Sequence, residues 1–307
     1  MKKSAVVICA LLGMIWGCSF IFIKWASPSV SPLQISLLRS LCGFAPVMLF
    51  GLLRGRLRWA HWRHAHHFLV MALLASALYY CALAKATALL PSGIAGALGG
   101  AMPLFTFVCA WLFLPNESLT RMKAFGIGLG LIGVLIIVKP WAVMAAINLA
   151  GVGYMMLGAF CIGASFVYAR RFLSPLGIPA VALVTYQIGL AAVFLLLVTP
   201  LQGITAVFAD SRAWIGLTMG LGVLGTGVAY IAYYHLIEQQ GAVAASAVTY
   251  IPPVVALVIG VLNGEDISPS AGVAIMVILL GVACVQLSDR FASSEAHPAS
   301  PGRPFRN

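Results

Sequence analysis

Polar residues are confined to short stretches that divide the chain into ten long apolar runs. They lie at about residues 5–25, 33–53, 67–88, 92–114, 121–140, 150–171, 179–200, 213–236, 241–263 and 269–288. Each approaches the roughly 20 residues that a helix needs to cross a bilayer's hydrocarbon. In lipid every backbone N–H and C=O must be satisfied internally, so runs of this length predict helices rather than open strands. The pattern predicts an all-α integral membrane protein with ten transmembrane helices and little mass outside the membrane. The first run is too long for the apolar part of a signal peptide, and Lys24 interrupts any cleavage context, so it reads as the first span. From Asp289 onward the sequence turns polar, with Ser293, Ser294, Pro298, Pro301 and Pro304, which predicts a disordered cytoplasmic tail over 289–307.

The runs also repeat. Trp16-Gly17-Cys18-Ser19-Phe20 with Lys24 returns 146 residues later as Ile162-Gly163-Ala164-Ser165-Phe166 with Arg170. Pro32 returns as Pro179, Pro103 as Pro252, Glu117 as Glu265 and Gly133 as Gly281, at offsets of 147 to 149. Such a steady offset divides the chain into a first five-helix repeat over 1–145 and a second over 146–288. Five is odd, so the second copy enters the membrane upside down. Inverted repeats of this kind are a hallmark of secondary transporters, which alternate between outward-open and inward-open shapes around a midplane site.

Composition agrees and charge sets a direction. The chain is 62% apolar and 8% charged, with mean hydropathy +1.04, far from the roughly one-quarter charged residues of a soluble domain. The net charge of +11 is not a nucleic-acid footprint, because the cations cluster between spans. With the N-terminus inside, cytoplasmic segments hold Lys2, Lys3, Arg54, Arg56, Arg58, Arg63, Arg121, Lys123, Arg170, Arg171, Arg290, Arg303 and Arg306, and outer loops hold only Lys139 and Arg212. That asymmetry places both termini in the cytoplasm. The seven cysteines lie in apolar runs without a CxxC pair and read as small buried residues.

The ordered, duplicated set of Trp16-Gly17, Ser19-Phe20, Arg39, Pro103, Leu114, Glu117, Gly126 and Gly133, then Pro252, Glu265 and Gly281, resembles the EamA type of the drug/metabolite transporter superfamily. The resemblance spans roughly residues 5–288 and implies a ten-helix carrier of two inverted five-helix repeats in the bacterial cytoplasmic (inner) membrane. Within the superfamily the chain is similar to bacterial amino-acid exporters, including those for aromatic amino acids. Two departures stand out: Ile162 replaces the tryptophan of the first copy, and Pro115 precedes Glu117.

Several patterns only imitate chemistry. Gly128-x-Gly130-x-x-Gly133 and Gly220-x-Gly222-x-x-Gly225 match a dinucleotide fingerprint, but both lie inside apolar spans, where small residues serve helix packing. No GxxxxGK[ST] loop occurs, so ATP is not expected as a partner, and no cofactor is expected. His61, His64, His66 and His67 crowd one loop with Trp59, Trp62 and Arg63, which reads as an interfacial anchor before a metal site. No paired carboxylates, Ser/His set or zinc set falls at membrane depth, so an enzyme is not expected. A non-transporting scaffold or receptor, and a multidrug or nucleoside-type carrier, stay open as alternatives.

The candidate substrate site follows from paired helix breakers. Pro91, Ser92, Gly93, Gly96, Gly99, Gly100 and Pro103 interrupt the fourth run, and Gly241, Ala245, Ser246, Pro252 and Pro253 the ninth. Matching interruptions in two halves are the best sequence pointer to a midplane site. What the resemblance implies is a cavity lined by spans 1, 3, 4, 6, 8 and 9. It would collect Trp16, Phe20, Tyr79, Tyr80, Gly99, Met102, Pro103, Ser165, Phe166, Tyr230, Tyr234, Ser246 and Tyr250. Arg39, Lys85 and His235 are candidate gating or coupling residues; for Arg39 a structural role and a substrate-carboxylate role both stand. Lys24 and Lys85, near outer helix ends, are expected to reach water along their stems. No Asp or Glu occupies the middle of a span, which suits a neutral or zwitterionic small molecule, amino acids foremost. The carrier is expected to act as a monomer or homodimer in the lipid bilayer.

Overall fold

A computed structural model describes residues 3–114, 120–138, 147–240 and 246–295. Among these residues every regular element is helical, and ten helical runs follow the ten apolar ones. The first copy contributes α1 (Lys3–Ala26), α2 (Pro32–Leu53), α3 (Trp59–Leu89), α4 (Ser92–Phe113) and α5 (Arg121–Val138). The second contributes α6 (Leu149–Leu176), α7 (Ala180–Val198), α8 (Ser211–Tyr233, helical on to Gln240), α9 (Val248–Leu262) and α10 (Ser270–Glu295). Seven of them, α1–α4 and α6–α8, are long and apolar enough to cross a membrane by length and composition. α3 has 31 residues, about 46 Å of helix at 1.5 Å per residue. The hydrocarbon is about 30 Å thick, so the opening turn Trp59–His64 lies at the membrane surface.

Local chemistry sets the ends. Ser31 accepts the Gln34 backbone N–H at 3.3 Å while the Gln34 side chain accepts the Ser31 N–H at 2.9 Å, a reciprocal cap that starts α2 with Pro32 in its first turn. The Gln34 amide then donates to the Pro200 and Gln202 carbonyls at 2.8 and 2.9 Å, joining the copies at this end. At the far terminus the expected tail needs correction: α10 stays helical past Asp289 to Glu295. The stretch Arg290-Phe291-Ala292 holds no glycine or proline to stop the helical ladder, and the first proline is Pro298. Residues 296–307 lie outside the described residues.

The packing has two-fold character. α1 packs on α8 and α9, and its counterpart α6 packs on α3 and α4. α2 packs on α8, and its counterpart α7 on α3; α2–α7, α4–α9 and α5–α10 pair with each other. Exchanging the copies maps each contact onto another. With five spans per copy, that exchange reverses direction through the membrane, so the repeats are inverted.

The α5–α10 crossing shows the symmetry at single residues. A Cβ on Gly126 would overlap the Gly281 carbonyl, and one on Gly133 the Ala274 carbonyl. With the offset of 148, the pair Gly126–Gly281 becomes Gly133–Ala274. Small residues let these backbones touch where lipid supplies no hydrophobic drive for association. The two fingerprint decoys also pack helices: Gly130 faces the Leu104 side chain, Gly220 faces Phe22 and Gly222 faces Cys42.

Two further irregularities recur in both copies. α4 is broken at Gly100–Ala101 and restarts at Met102 with Pro103 in its first turn; α9 opens as a tight turn over Ser246–Tyr250 and restarts at Ile251 with Pro252 and Pro253. α3 widens to π-helix at Leu73–Leu78, and its counterpart α8 does so over Gly216–Val228. Such widened turns disturb the i to i−4 ladder and are frequent at functional sites.

Candidate functional site

The two widened segments each present a buried hydroxyl to the second helix of the opposite copy. On one side Arg39 of α2 donates from Nε to Thr226 Oγ1 at 3.0 Å. On the other, Gln187 of α7 donates from Nε2 to Ser76 Oγ at 2.9 Å. Arg39 and Gln187 are 148 residues apart, Ser76 and Thr226 150, so these bonds are one interaction made twice. Both bonds are buried. A neutral amide suffices to make it in one copy; the other uses a guanidinium that costs about 2.5–3.5 kcal/mol to place at a span's centre. The charge on Arg39 therefore needs a reason beyond the bond.

What surrounds Arg39 supplies candidates. Its guanidinium lies 4.1 Å from the Tyr80 ring centroid, a cation–π contact. Only one of its five N–H donors has a hydrogen-bond partner among the described residues. Tyr80 is 1% exposed and its hydroxyl is buried without a partner among the described residues. Leaving such a group unpaired costs about 1–3 kcal/mol. The neighbouring ring of Tyr79 lies 5.5 Å away and its hydroxyl makes a weak 3.9 Å contact to Met102 Sδ at the α4 break.

A belt of contacts continues from there. A Cβ on Gly99 would stand 3.2 Å from both the Phe20 ring and the Met155 methyl, so Phe20 is seated on the break. One turn earlier on α1, Trp16 donates from Nε1 to the Gly225 carbonyl at 3.1 Å, next to Thr226. Its ring packs against Tyr230 and Tyr233, with centroids 6.4 and 5.5 Å apart. Trp16, Phe20, Arg39, Tyr79, Tyr80, Gly99, Met102 and Tyr230 thus form one contiguous group, and Pro103 adjoins it at the break. Thr226, Gly225 and Met155 belong with them and were not anticipated. The repeat offset that aligns Arg39 with Gln187 was the available signal for Thr226.

Other candidates stand apart or elsewhere. Ser165 is fully buried, but its hydroxyl donates to the Ile162 carbonyl of its own helix at 2.7 Å, so it is engaged locally. Tyr250 packs against the main core. Lys85 holds its ammonium 5.0 Å from the Tyr154 ring, joining α3 to α6. His235 is exposed near the end of α8. The side chains of Tyr234 and Ser246, and Glu117, Gly241 and Ala245 entirely, lie outside the described residues. Lys24 departs from expectation: its ammonium donates to the Leu90 carbonyl at 2.9 Å and to those of Thr87 and Ala88 at 3.4 Å. It closes the C-terminal end of α3, where free carbonyls and the helix dipole favour a cation. Glu265 does the converse for α4, accepting the Ser92 and Gly93 N–H groups at 2.8 and 3.0 Å.

Phe166 differs from its counterpart in exposure. On α6, Gly153, Leu157 and Phe160 are exposed along one face, the lipid side. At about 100° per residue, Phe166 falls on the opposite side. There it lies between the faces marked by Gly158, which meets Tyr79 and Ala82 of α3, and Gly163, which meets Phe105 and Thr106 of α4. Its ring is still 50% exposed, whereas its counterpart Phe20 is 6% exposed. Phe166 thus faces away from the lipid side, half exposed, near the end of α6 that carries Arg170 and Arg171.

The histidine cluster is held by aromatic and hydroxyl contacts. His67 Nδ1 lies 2.7 Å from the Tyr168 hydroxyl and its ring 4.0 Å from that of His66, while Arg63 Nε donates to His64 Nε2 at 2.9 Å. Among the described residues no group of three His, Cys, Asp or Glu is arranged to hold a metal.

Comparison with known proteins agrees with this architecture. The EamA-like transporter family matches twice, at residues 3–139 and 149–287, one match per repeat, and the chain belongs to that family. An uncharacterized transporter of Archaeoglobus fulgidus is 24% identical over 286 residues, covering 92% of this chain and 98% of its own. The inner membrane transporter YedA of Escherichia coli K12 is 27% identical over 292 residues, covering 90% and 88%. YdfC of Bacillus subtilis, also described as a transporter, is 26% identical over 262 residues, covering 84% of each. A crystal structure superposes with a TM-score of 0.60 at 22% identity over 96% of this chain and all of its own, a likeness of fold. The protein is a multi-pass membrane transporter.

Proposed function

We propose that this member of the EamA-like transporter family is a secondary carrier that exports small metabolites, amino acids foremost, by alternating access. Its setting on this reading is the bacterial cytoplasmic membrane, with both termini inside. The observation behind the substrate class is the charge on Arg39. Its twin Gln187 makes the same inter-repeat bond without charge, so the guanidinium is surplus to structure and free to pair a substrate carboxylate through its remaining N–H groups. The unpaired Tyr80 hydroxyl is the natural second donor to that carboxylate.

The solute's apolar part would lie among Trp16, Phe20, Tyr79 and Met102. Its ammonium would face ring surfaces and carbonyls exposed at the α4 break. No Asp or Glu sits in the middle of any span, which disfavours lipophilic-cation efflux, the main alternative within transport. The breaks at Gly100–Ala101 and Tyr250–Ile251 would be the hinges about which α3–α4 and α8–α9 rock.

Counterflow in proteoliposomes tests this reading. Labelled amino acids are expected to exchange saturably, while nucleosides and a lipophilic cation are not. Uptake of the cation or nucleoside in place of amino acids would overturn the substrate class.

A further inference from the structure

One concavity shares no lining residue with the belt. It lies at the basic end, with a volume of about 460 Å³, and is lined by Arg54, Arg56, Arg58, Arg63, His61 and His64 from the connection between α2 and α3. The opposite wall is the uncharged turn 176–179 between α6 and α7, in the other repeat. Both walls turn back through a left-handed glycine, Gly55 at φ +60° and Gly177 at φ +61°. The Tyr186 hydroxyl donates to the Arg58 carbonyl at 3.1 Å, holding the arginine-bearing segment against α7.

Among the described residues no carboxylate lines this space. Burial, and then the charges of Arg58, His64 and Arg63, hold the His61 imidazole below its ordinary value. Topology alone asks for basic residues on one side of the membrane; solvated, dispersed charges meet that demand. It does not ask for four arginines to line one hollow whose other wall belongs to the other repeat. The level is also specific. Trp59, 87% exposed, and Trp62 stand beside the hollow, and such residues mark the depth of lipid headgroups.

We propose that this concavity binds the phosphate headgroup of an anionic phospholipid of the surrounding bilayer. Arginine forks grip phosphate oxygens in pairs, and basic pockets at this depth suit such headgroups. A bound headgroup would link the α2–α3 connection of one repeat to the α6–α7 turn of the other. The proposal is independent of the transported substrate.

The test uses the full chain in detergent, with retained lipid counted by native mass spectrometry and the thermal midpoint followed in parallel. Phosphatidylglycerol is expected to be retained about tenfold over phosphatidylcholine and to raise the midpoint, with both effects weakening as salt rises. The triple variant Arg54→Gln, Arg56→Gln, Arg58→Gln is expected to lose the preference. Arg54→Lys, Arg56→Lys, Arg58→Lys keeps every charge, and so the membrane orientation, but is expected to lose part of it through loss of the paired hydrogen bonds. Equal retention of the two lipids, or an undiminished preference in a folded glutamine variant, would overturn the proposal. So would inorganic phosphate at the same concentration giving the same stabilisation and displacing the lipid, which would make this a site for free phosphate.

Discussion

The two copies of the five-helix unit share their irregularities and differ in exposure and charge. Phe20 is sealed against the α4 break in the first copy, while Phe166 in the second is half exposed on the side of α6 turned from lipid. A symmetric molecule would treat both alike. On the reading proposed above, the inequality is the working state: one side closed, the basic side open, and the alternative shape reached by exchanging the environments of the two phenylalanines. The second difference is Arg39 against Gln187. Both tie a second helix to a π-helical hydroxyl in the other copy, and only one brings charge. Shared features thus read as architecture and unshared ones as chemistry.

The strongest test of the first difference is accessibility. Cysteine placed at Phe166 is expected to react readily with a membrane-impermeant thiol reagent from the basic side, and cysteine at Phe20 to stay unreactive in a background cleared of native cysteines. Equal reactivity of the two would break the comparison. Next in size, Arg39→Gln is expected to retain the thermal midpoint within a few degrees, because its twin is already Gln, yet to lower amino-acid counterflow about tenfold to a hundredfold. That range corresponds to roughly 1.5–3 kcal/mol for a hydrogen bond to a charged group. A collapsed midpoint would make Arg39 structural, and unchanged counterflow would remove its substrate role.

Gly281→Leu places a side chain on the Gly126 carbonyl and is expected to destabilise by about 1–3 kcal/mol or more, read as a lower midpoint. Glu265→Gln keeps an acceptor at the α4 N-terminus but removes its charge, and should cost about 1 kcal/mol. The smallest effect is expected from Gln187→Leu, under about 1 kcal/mol on stability, because the freed Ser76 hydroxyl can turn to a carbonyl of its own helix. A larger loss than that of Arg39→Gln would reverse the assignment of which copy holds structure.

Much of the architecture was legible because membrane helices advertise themselves by length and because the duplication leaves a constant offset. Pro103 and Pro252 marked true breaks. The Gly216–Val228 π-helix was not legible: its glycines look like packing residues, and the change from four to five residues per hydrogen bond leaves no hydropathy signature. The Arg39–Thr226 and Gln187–Ser76 pair escaped for a different reason. An arginine and a glutamine do not look alike by residue type, although the offset sets them opposite each other. The carbonyl partners of Lys24 were not legible because stem length says that a cation can reach water, not that carbonyls lie nearer. The difference in exposure between Phe166 and Phe20 was not legible either, since nothing in the repeat distinguishes them and exposure belongs to a conformation.

The crossing of α5 and α10 has a last consequence. Gly126 on Gly281 and Gly133 on Ala274 are the same contact read from either side, as in a self-complementary protomer interface. Each half of the chain is therefore built like one subunit of a dimer that happens to be tethered to its partner. Severed from the other half, it would offer that glycine face to whatever copy of the unit met it upside down. The linker between the copies then acts chiefly to set local concentration, and separately expressed halves would be expected to find each other in the membrane.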